Sequence, residues 1–292
     1  MIITKIVGGL GNQMFQYAAA RALSLRLGQP LLLDISAFNH YSLHNGFELA
    51  RIFNCINKQA SASEIREVLG WQGGDFFREV LARNCLRMFR KSSLVIEPHF
   101  EYWPNIRYLP GNCYMSGYWQ SERYFFDESR QIHEDFDFKE DASPDNQKLI
   151  DRMLKSNSVS LHIRRGDYIS SLANSKIYAA CSADYYRKAI DYISSRILNP
   201  EFYVFSDDVA WVKRNLHFEC SHEFVSHNSG ACSYNDMRLM SFCQHNIIAN
   251  SSFSWWGAWL NSNHEKIVIA PRSWFINGTN TDDLYPQGWV KL

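Results

Sequence analysis

Apolar residues in this chain occur in two patterns: short runs typical of buried strands, and longer stretches with helical spacing. Residues 2–7 form a β-rich apolar run, three glycines follow within positions 8–11, and an Ala- and Leu-rich segment at 13–27 ends at Gly28. This order predicts a strand, a glycine turn and a helix that stops at Gly28. Pro30 and the leucines after it begin a second strand. The opening is therefore that of a doubly wound α/β domain.

The second half of the chain alternates more regularly. Apolar runs predict strands at 159–163, 202–205, 223–225, 246–249 and 267–270, and the intervening segments predict helices at 182–197, 209–216, 234–243 and 256–260. Strands separated by helices form parallel sheets. In the first half, residues 61–90 predict helices that are broken by the glycines at 70–74.

The chain is longer than one core usually supports. Its 292 residues favour two domains of about 150 residues each. An acidic run at 133–141 is followed by a linker-like Ala-Ser-Pro-Asp-Asn segment, and a charge run beside a linker is usually a solvated face. We predict an N-terminal domain at 1–145 and a C-terminal domain at 146–292. The stretch after Pro271 is a candidate for returning to the first domain.

Composition excludes several classes of protein. Apolar residues make up 46% of the chain, which is ample for packed cores, and the formal net charge is zero. A nucleic-acid binder would normally show a basic excess. The seven cysteines are widely spaced and contain no Cys-x-x-Cys pair, so they predict reduced core residues rather than a zinc site or disulfides. No apolar run approaches the roughly 20 residues of a membrane span, and we predict a cytoplasmic protein.

The most informative polar cluster surrounds the end of the strand at 159–163. His162 belongs to that strand, and Arg164 and Arg165 follow it at the edge where open α/β sheets bind ligands. The planar fork of arginine fits phosphate, so the pair predicts a phosphate-bearing ligand. Because consecutive strand residues face opposite ways, we assign Arg164 to the ligand and Arg165 to the loop, braced by Asp167. A solvated ion-pair cluster is the alternative. An exposed Arg-Gly-Asp adhesion tripeptide is disfavoured, because this one abuts a core strand.

A second polar stretch lies between the strand at 246–249 and the helix predicted at 256. Hydroxyl groups of Ser251 and Ser252, together with free N–H groups at the helix start, are placed to bind phosphate at the same edge. Phe253 is a candidate for packing on an apolar part of the bound ligand. The tryptophans after it fall within one helical turn and predict core packing.

The glycine-rich turn at 8–13 departs from the dinucleotide fingerprint. It reads GGLGNQ, and polar Asn12 and Gln13 occupy positions where a pyrophosphate would need bare backbone N–H groups. A helix N-cap role for Asn12 is one interpretation. Further along, Asn45 and the histidines at 40 and 44 surround Glu48, a polar set suited to hydroxyl recognition.

Three motifs together carry a family resemblance. HIRRGDY at 162–168, GGLGNQ at 8–13 and NSSFSWW at 250–256 resemble the α-1,2-fucosyltransferases of glycosyltransferase family 11, along essentially the whole chain. The arginine motif alone is shared with α-1,6- and protein O-fucosyltransferases, whereas the other two are more specific. The resemblance implies a GT-B fold, in which two Rossmann-like α/β domains face each other across a cleft. It also implies inverting transfer of L-fucose from GDP-β-L-fucose to the 2-hydroxyl of a terminal β-galactoside.

The resemblance also implies roles for particular residues. Asn12 lies near the bond being transferred, the aromatic turn at 117–121 belongs to the cleft side of the first domain, and Asp236 accepts hydrogen bonds from N1–H and N2–H₂ of guanine. Core packing is the alternative for the aromatic turn. A helix cap near Tyr234 is the alternative for Asp236. The predicted catalytic residues are Arg164 and Asn12, and the predicted donor-binding residues are His162, Arg164, Asp236, Ser251, Ser252 and Phe253.

We predict neither a metal nor any cofactor beyond the donor substrate. Adjacent Asp207 and Asp208 diverge, and Asp208 suits a helix cap. Arg164, the serine turn and helix N-termini must then stabilise the leaving charge. Glu48 and Asp34 are unranked candidates for a general base.

The predicted partners are the sugar nucleotide and a galactose-terminated acceptor. A membrane-borne glycolipid acceptor would add peripheral contact at the inner face of the membrane, in O-antigen or lipopolysaccharide biosynthesis. Two alternatives stay open: a fucosyltransferase of another linkage, such as α-1,6, and a non-catalytic guanine-nucleotide or glycan-binding module.

Overall fold

The computed structural model describes residues 1–40, 45–166, 168, 177–178 and 180–292, with the side chains in these ranges except those of His40 and Asn84. Contacts divide the chain into two compact units. The first unit is Met1–Glu140 with Asp282–Leu284, and the second is Asp141–Thr281 with Tyr285–Leu292. The division falls a few residues before the boundary predicted from composition at 145/146.

The first unit is built on four parallel strands: β1 (Ile2–Lys5), β2 (Leu31–Asp34), β3 (Leu94–Ile96) and β4 (Cys113–Ser116). Their spatial order is β2-β1-β4-β3. Helix α1 (Leu10–Leu27) connects β1 to β2 and ends at Gly28, whose φ of 59° is in the left-handed region. The helix begins before the predicted residue 13, because Gly9 is its N-cap residue and its carbonyl accepts hydrogen bonds from the N–H groups of Asn12 and Gln13.

Short helices complete the first unit. They are α2 (Leu49–Ile52), α3 (Ala62–Leu69), α4 (Asp75–Leu81) and α5 (Ser129–Asp135). Ser61 and Glu64 form a capping box at the start of α3. The predicted break after α3 is confirmed, since Gly70 has a φ of 61°. Short 3₁₀ segments lie at Ser36–His40, Gly70–Gly73, Asn84–Phe89, Pro104–Tyr108, Glu122–Tyr124, Phe126–Glu128 and Asp282–Leu284.

The second unit contains a six-stranded parallel sheet. Its strands are β5 (Ser158–Ile163), β6 (Glu201–Ser206), β7 (His222–Val225), β8 (His245–Ile247), β9 (Val268–Ala270) and β10 (Val290–Lys291), in the order β10-β9-β8-β5-β6-β7. Its helices are α6 (Pro144–Met153), α7 (Ala183–Ser194), α8 (Val209–Asn215), α9 (Tyr234–Phe242) and α10 (Ser252–Trp259), with a 3₁₀ turn at Gly230–Cys232. The predicted alternation is confirmed. Helix α10 starts at Ser252 rather than 256, and its three tryptophans are buried as predicted.

In both sheets the strand order reverses beside the first strand. β1 lies between β2 and β4, and β5 lies between β6 and β8. In open parallel sheets, the loops after the two strands at such a switch point diverge and leave room for a ligand. The turns after β1 and β4 and those after β5 and β8 are therefore the places where the topology favours a site.

The acidic run at 133–141 is not solvated throughout, contrary to the prediction. Asp135 is 6% exposed, and it accepts hydrogen bonds from the Tyr17 hydroxyl at 2.6 Å and from Arg21 Nε at 2.8 Å. The Asp135 carboxylate therefore anchors α5 to α1. Local charge patterning missed this, because both partners lie more than a hundred positions away in the chain.

The cysteine prediction is partly wrong. All seven cysteines are free, but Cys85 and Cys232 are exposed rather than in a core. In the part of the chain that the structure describes, no helix is both long and apolar enough to cross a bilayer.

Candidate functional site

Loops of the second unit meet at the carboxyl edge of its sheet. They follow the adjacent strands β6, β5 and β8 and comprise residues 207–208, 164–166 and 250–251. Since the strand order reverses at β5, the loops after β5 and β8 flank the switch point. The structure thus brings the arginine motif and the serine stretch to one edge, as the sequence predicts.

Arg164 is the more accessible of the two arginines, with 32% of its side chain exposed, and its Nη1 lies 3.3 Å from Oδ2 of Asp207. Oδ1 of Asp207 accepts a hydrogen bond from the backbone N–H of Arg165 at 2.9 Å. A Cβ at Gly166 would lie 3.1 Å from Asp207 Oδ2, so glycine lets the loop lie against this carboxylate. Asp207 therefore both orients Arg164 and holds its loop. Sequence reasoning considered Asp207 only as a metal ligand and missed this role.

Arg165 has a different environment. Its guanidinium lies over the ring of Trp211, 3.9 Å from the centroid, and its Nε is 3.6 Å from Oδ2 of Asp208. Asp208 caps α8 by accepting a hydrogen bond from the N–H of Trp211 at 2.9 Å, which confirms the predicted cap. Arg165 therefore ties its loop to the start of α8. The predicted brace by Asp167 lies outside the described residues.

His162 and Phe253 are neighbours at the carboxyl edge of this sheet. His162 is 7% exposed, and burial together with the charge of Arg164 lowers the pKa of His162 to about 3. The imidazole is therefore neutral. Its ring centroid lies 6.0 Å from that of Phe253, which packs against an apolar cluster containing Tyr203 and Leu239. Nδ1 of His162 has no hydrogen-bond partner among the described residues.

The serine stretch is the start of helix α10. Ser251 is the N-cap residue and makes no side-chain cap bond, and both Ser251 and Ser252 are partly exposed. The first-turn N–H groups of a helix lack intrahelical partners and favour an anion. Asn250 fixes the turn from below: it is fully buried, and its Nδ2 donates to the carbonyl of Trp274 at 3.0 Å.

Asp236 lies in the first turn of α9, which runs from β7 to β8, and so it belongs to the same carboxyl edge. The helix-cap alternative is wrong, because Ser233 is the N-cap residue and Asp236 Oδ1 instead accepts a hydrogen bond from Asn228 Nδ2 at 2.9 Å. Burial raises the pKa of Asp236 to about 7, although the bond from Asn228 opposes the shift. The carboxyl group therefore gains or loses its proton near neutrality.

A chain of amide contacts positions Asn228. Nδ2 of Asn146 donates to Oδ1 of Asn228 at 3.0 Å, and Nε2 of His227 lies 2.7 Å from Oδ1 of Asn146. Asn146 lies on α6 and is 1% exposed. Sequence reasoning missed these three residues, because 82 positions separate Asn146 from Asn228 and no local pattern connects them.

In the first unit, amide side chains fasten the turn after β1. Nε2 of Gln13 donates to the carbonyl groups of Gly8 at 2.9 Å and Gly46 at 2.8 Å, and its Oε1 accepts a hydrogen bond from the N–H of Glu48 at 2.9 Å. Gln13 itself is fully buried. This glycine turn is therefore stabilised by an internal side chain, in keeping with its departure from the dinucleotide fingerprint.

Asn12 is not the helix cap, because Gly9 holds that position. Oδ1 of Asn12 accepts a hydrogen bond from Nε2 of Gln120 at 2.8 Å. Gln120 follows β4, the neighbour of β1 at the switch point. The two turns at this switch point are therefore joined by one amide pair, which the sequence does not predict although it singles out the turn at 117–121.

The two carboxylates left open as general bases differ in their surroundings. Asp34 is 2% exposed, and it accepts hydrogen bonds at 2.6 Å from both the Tyr114 hydroxyl and Arg78 Nη1. Burial alone would raise the pKa of Asp34, but its hydrogen bonds and the charge of Arg78 lower it. For Glu48, burial raises the pKa despite the ion pair with Arg51 at 2.8 Å. Both carboxyl groups are buried and have partners, and Glu48, which is 3% exposed, is the one whose pKa is raised.

No group of three or more His, Cys, Asp or Glu side chains among the described residues is placed to hold a metal ion. Asp207 and Asp208 pair with different arginines, in keeping with the expected divergence of their side chains. Of the polar set near Glu48, His44 lies outside the described residues, as does the side chain of His40.

Comparison with known proteins places the chain in a family. Residues 102–292 match the model of glycosyl transferase family 11. The chain is 37% identical to an alpha-1,2-colitosyltransferase of Escherichia coli, over 100% of this chain and 99% of that protein. The chain belongs to glycosyltransferase family 11. Within family 11 it is also 35% identical to the O-antigen biosynthesis glycosyltransferase WbnK of Escherichia coli, over 98% of each chain. It is 25% identical to galactoside alpha-(1,2)-fucosyltransferase 2 of Rattus norvegicus, over 100% of this chain and 77% of that protein.

A solved structure agrees on the fold. The fucosyltransferase NodZ from Bradyrhizobium aligns with a TM-score of 0.51 at 14% identity, over 88% of this chain and 90% of NodZ. This family 11 chain therefore has the α/β GT-B fold, and it is a glycosyltransferase. The family alone does not decide which sugar is transferred, because its members here are named for both colitosyl and fucosyl transfer.

Proposed function

We propose that this family 11 enzyme transfers L-fucose from GDP-β-L-fucose to the 2-hydroxyl of a terminal β-galactoside, with inversion at the anomeric carbon. One observation supports the donor-binding part of this proposal. Anion-binding groups and a half-buried carboxyl group lie at the same edge of the second sheet. Relatives named as alpha-(1,2)-fucosyltransferases match the whole length of the chain, which supports the sugar and the linkage.

The diphosphate would bind between the loops after β5 and β8. Arg164 supplies a planar fork of donors, and Ser251 and Ser252 supply hydroxyls at the N-terminus of α10. Neutral His162 adds no charge, so the arginine and the helix terminus carry the electrostatics. Preorganised donors of this kind are each worth about 3 kcal/mol at a developing charge. This set supports departure of the diphosphate without a metal.

Asp236 would select guanine. Its carboxylate presents acceptors to N1–H and N2–H₂ of that base, whereas adenine offers an acceptor at the corresponding ring nitrogen. Asn228 holds the carboxyl through Oδ1, so the group is oriented before the ligand arrives. Its pKa near 7 means that the site recognises the base best when the proton has left.

Catalysis would need the galactose 2-hydroxyl to attack from the face opposite the diphosphate. We place Asn12 near that bond, where its amide orients the acceptor. Glu48 is the better of the two candidate bases, and an oxocarbenium-like route in which Asn12 only orients the acceptor is the alternative. Both routes leave stabilisation of the departing charge to Arg164.

Colitose is a second candidate for the transferred sugar. It is the 3-deoxy form of fucose, and the relative that is 37% identical to this chain is named for its transfer. The diphosphate and guanine contacts proposed above would be the same for both GDP-sugars. The enzyme would therefore distinguish the two donors at the 3-hydroxyl of the sugar. A direct comparison of its activity with the two donors tests this.

Contact with a membrane-borne acceptor and a cytoplasmic location also belong to this proposal. Trp71, Phe76 and Phe77 are 60%, 71% and 44% exposed, and Arg83 and Arg87 follow in the chain. Exposed aromatic and basic residues suit an anionic membrane surface. Co-sedimentation with phosphatidylglycerol vesicles should be lost when Trp71 and Phe76 are both replaced by serine. Equal sedimentation of the variant would remove this surface from the proposal.

The function is tested by incubating the protein with GDP-fucose or GDP-colitose and lactose in excess EDTA. We expect release of GDP from GDP-fucose and a product in which fucose is linked α-1,2 to galactose. A different linkage by NMR would identify a fucosyltransferase of another specificity. Binding of GDP-sugars without any turnover across a panel of galactosides would favour a non-catalytic module.

A further inference from the structure

Glu97 follows β3 and lies against the turn after the neighbouring strand β4. Its Oε2 accepts a hydrogen bond from the N–H of Tyr118 at 2.6 Å, and its Oε1 accepts one from the N–H of Trp119 at 2.9 Å. Because Ile96 pairs with Ser116 at the ends of the two strands, the carboxylate reaches the turn directly. One side chain therefore holds two successive backbone groups.

The turn depends on this arrangement. A Cβ at Gly117 would lie 2.7 Å from Oε2 of Glu97, so only glycine lets the carboxylate approach. Trp119 has a φ of 55°, in a region that bulky residues seldom adopt. It is fully buried, edge-on to Tyr124 with ring centroids 5.4 Å apart. The hydrogen bonds that Glu97 accepts and the burial of the indole together oppose the strain at Trp119.

Trp119, with its left-handed backbone conformation, directly precedes Gln120. Nε2 of Gln120 reaches Oδ1 of Asn12 at 2.8 Å. Because Oδ1 of Asn12 accepts this hydrogen bond, Nδ2 of the same amide points away from Gln120. The orientation of Asn12 is thus determined by a turn whose own shape depends on Glu97.

We propose that Glu97 is a positioning residue for glycosyl transfer: its carboxylate holds the turn at 117–120 so that Gln120 fixes the amide of Asn12. The inference rests on the proposed function, because Asn12 acts on the acceptor only there. Glu97 touches neither substrate in this account and acts through two intervening residues.

The charge state of Glu97 contributes to this positioning role. Burial raises the pKa of Glu97 to about 7, although the two N–H bonds oppose the shift. Its charge contributes to the raised pKa of Tyr124. No Lys, Arg or His side chain among the described residues forms an ion pair with it. Charged residues close to Glu97 and to the turn in the chain pair with other groups: His99 with Glu101 at 3.3 Å, and Arg123 with Asp283. A protonated Glu97 would offer one acceptor fewer and loosen the turn.

The first test is kcat at saturating donor between pH 6 and pH 8, for wild type and Glu97→Gln. The wild-type kcat should fall about tenfold toward pH 6, as the ionised fraction of a group with a pKa near 7 does. Glu97→Gln should be about tenfold slower at pH 8, with a flat profile and unchanged KM for the donor. A wild-type kcat without a step near pH 7 overturns the inference, and this measurement needs no variant.

The second test asks whether Glu97 acts through Gln120. Gln120→Ala should slow kcat about as much as Glu97→Gln, and the double variant should be no slower than either single variant. Glu101→Gln, on the same segment, is the matched control and should behave as wild type. Independent multiplication of the two single losses would show that Glu97 acts by another path.

Failure of the inference is separable from failure of the proposed function. If wild type transfers fucose and Glu97→Gln has the same kcat profile, only the positioning role is wrong. If wild type transfers no sugar to any galactoside, the proposed function is wrong. In that case the step in Glu97 ionisation can still be followed by NMR of its carboxyl carbon, with Glu97→Gln to assign the signal.

Discussion

The carboxyl edges of the two sheets are built by the same topology but differ in chemistry. Around β5, the edge carries Arg164 with its partner Asp207, serine hydroxyls and a helix N-terminus. Around β1, the edge carries two neutral amides, Asn12 and Gln120, with a carboxylate beneath them. Each edge lies at a switch point in strand order. The difference is therefore set by the loops and not by the sheets.

Under the proposed function, one architecture serves two kinds of ligand. A parallel sheet determines where loops diverge, and the residues of those loops determine what binds there. A diphosphate requires fixed positive charge and N–H donors. A neutral sugar requires oriented hydrogen-bond groups whose own partners are already satisfied. Variants at the two edges should consequently separate donor binding from turnover.

The largest effect is expected for Arg164→Lys. Lysine keeps the charge, and with it the attraction to Asp207, but loses the planar fork and the second hydrogen bond to the diphosphate. We expect a loss of about two decades in turnover. Initial rates in excess EDTA provide the measurement, since wild-type activity should survive chelation. Loss of that activity, with recovery on adding Mn²⁺, would assign the leaving charge to a metal.

The matched control for Arg164 lies at the opposite edge of the same sheet. Arg152 pairs with Glu201 at 2.8 Å and with Glu223 at 2.7 Å, near the amino ends of β6 and β7. Arg152→Lys should leave turnover unchanged. An equal loss of turnover in both variants would mean that replacing an arginine disturbs the fold and does not act specifically at the donor edge.

A smaller effect, about tenfold in turnover, is expected for Asn12→Ala. This corresponds to the loss of one hydrogen bond in the transition state. GDP affinity by calorimetry should be unchanged, because the proposed donor contacts lie on the second sheet. Asn105→Ala, an exposed asparagine of the first unit, is the control. A fall in GDP affinity equal to the fall in turnover would contradict the assignment of the two edges.

Ionisation of Asp236 should make GDP affinity depend on pH. With a pKa of about 7 in the free protein, its ionised fraction falls about tenfold from pH 8 to pH 6. Affinity should fall with it. Asp236→Asn should bind GDP more weakly at pH 8 and lose this dependence. A pH dependence that persists in the variant would move base recognition to another group.

The same shift has the opposite sign for stability. The folded-state pKa of Asp236 lies above its ordinary value of 3.8, so between these values the folded protein binds more protons than the unfolded chain. Stability of the unliganded protein must then decrease as pH rises through that window. Asp236→Asn should therefore be less sensitive to pH in urea unfolding, even though it binds GDP more weakly.

Much of the fold could be predicted from the sequence. Periods of two and 3.6 are local, so the strand at β5, the stop at Gly28 and the break at Gly70 were all predictable. Element ends were less so. The sequence predicts that α10 starts at Trp256, whereas the helix starts at Ser252. The backbone conformation of Ser251 sets this start, and the spacing of hydrophobic residues does not reveal that conformation.

The site was predictable only in part, because its residues are joined over long distances in the chain. The arginine and serine motifs are contiguous and could be recognised by their chemistry. The bond between Asn12 and Gln120 spans 108 positions, and Glu97 contacts a turn that lies 21 positions later. Strand order decides such pairings, and strand order is not written in any one segment.

The smallest effect is expected at Arg165. It tests whether the two adjacent arginines have different roles. Arg165→Lys should lower the free energy of unfolding by about 1 kcal/mol, because lysine keeps the charge near Asp208 but stacks poorly on Trp211. GDP affinity should stay at the wild-type value. Trp211→Leu should remove most of the difference between arginine and lysine, which urea unfolding of the four proteins measures. Unchanged stability with weaker GDP binding would instead show that Arg165 faces the diphosphate and that the roles of the two arginines are reversed.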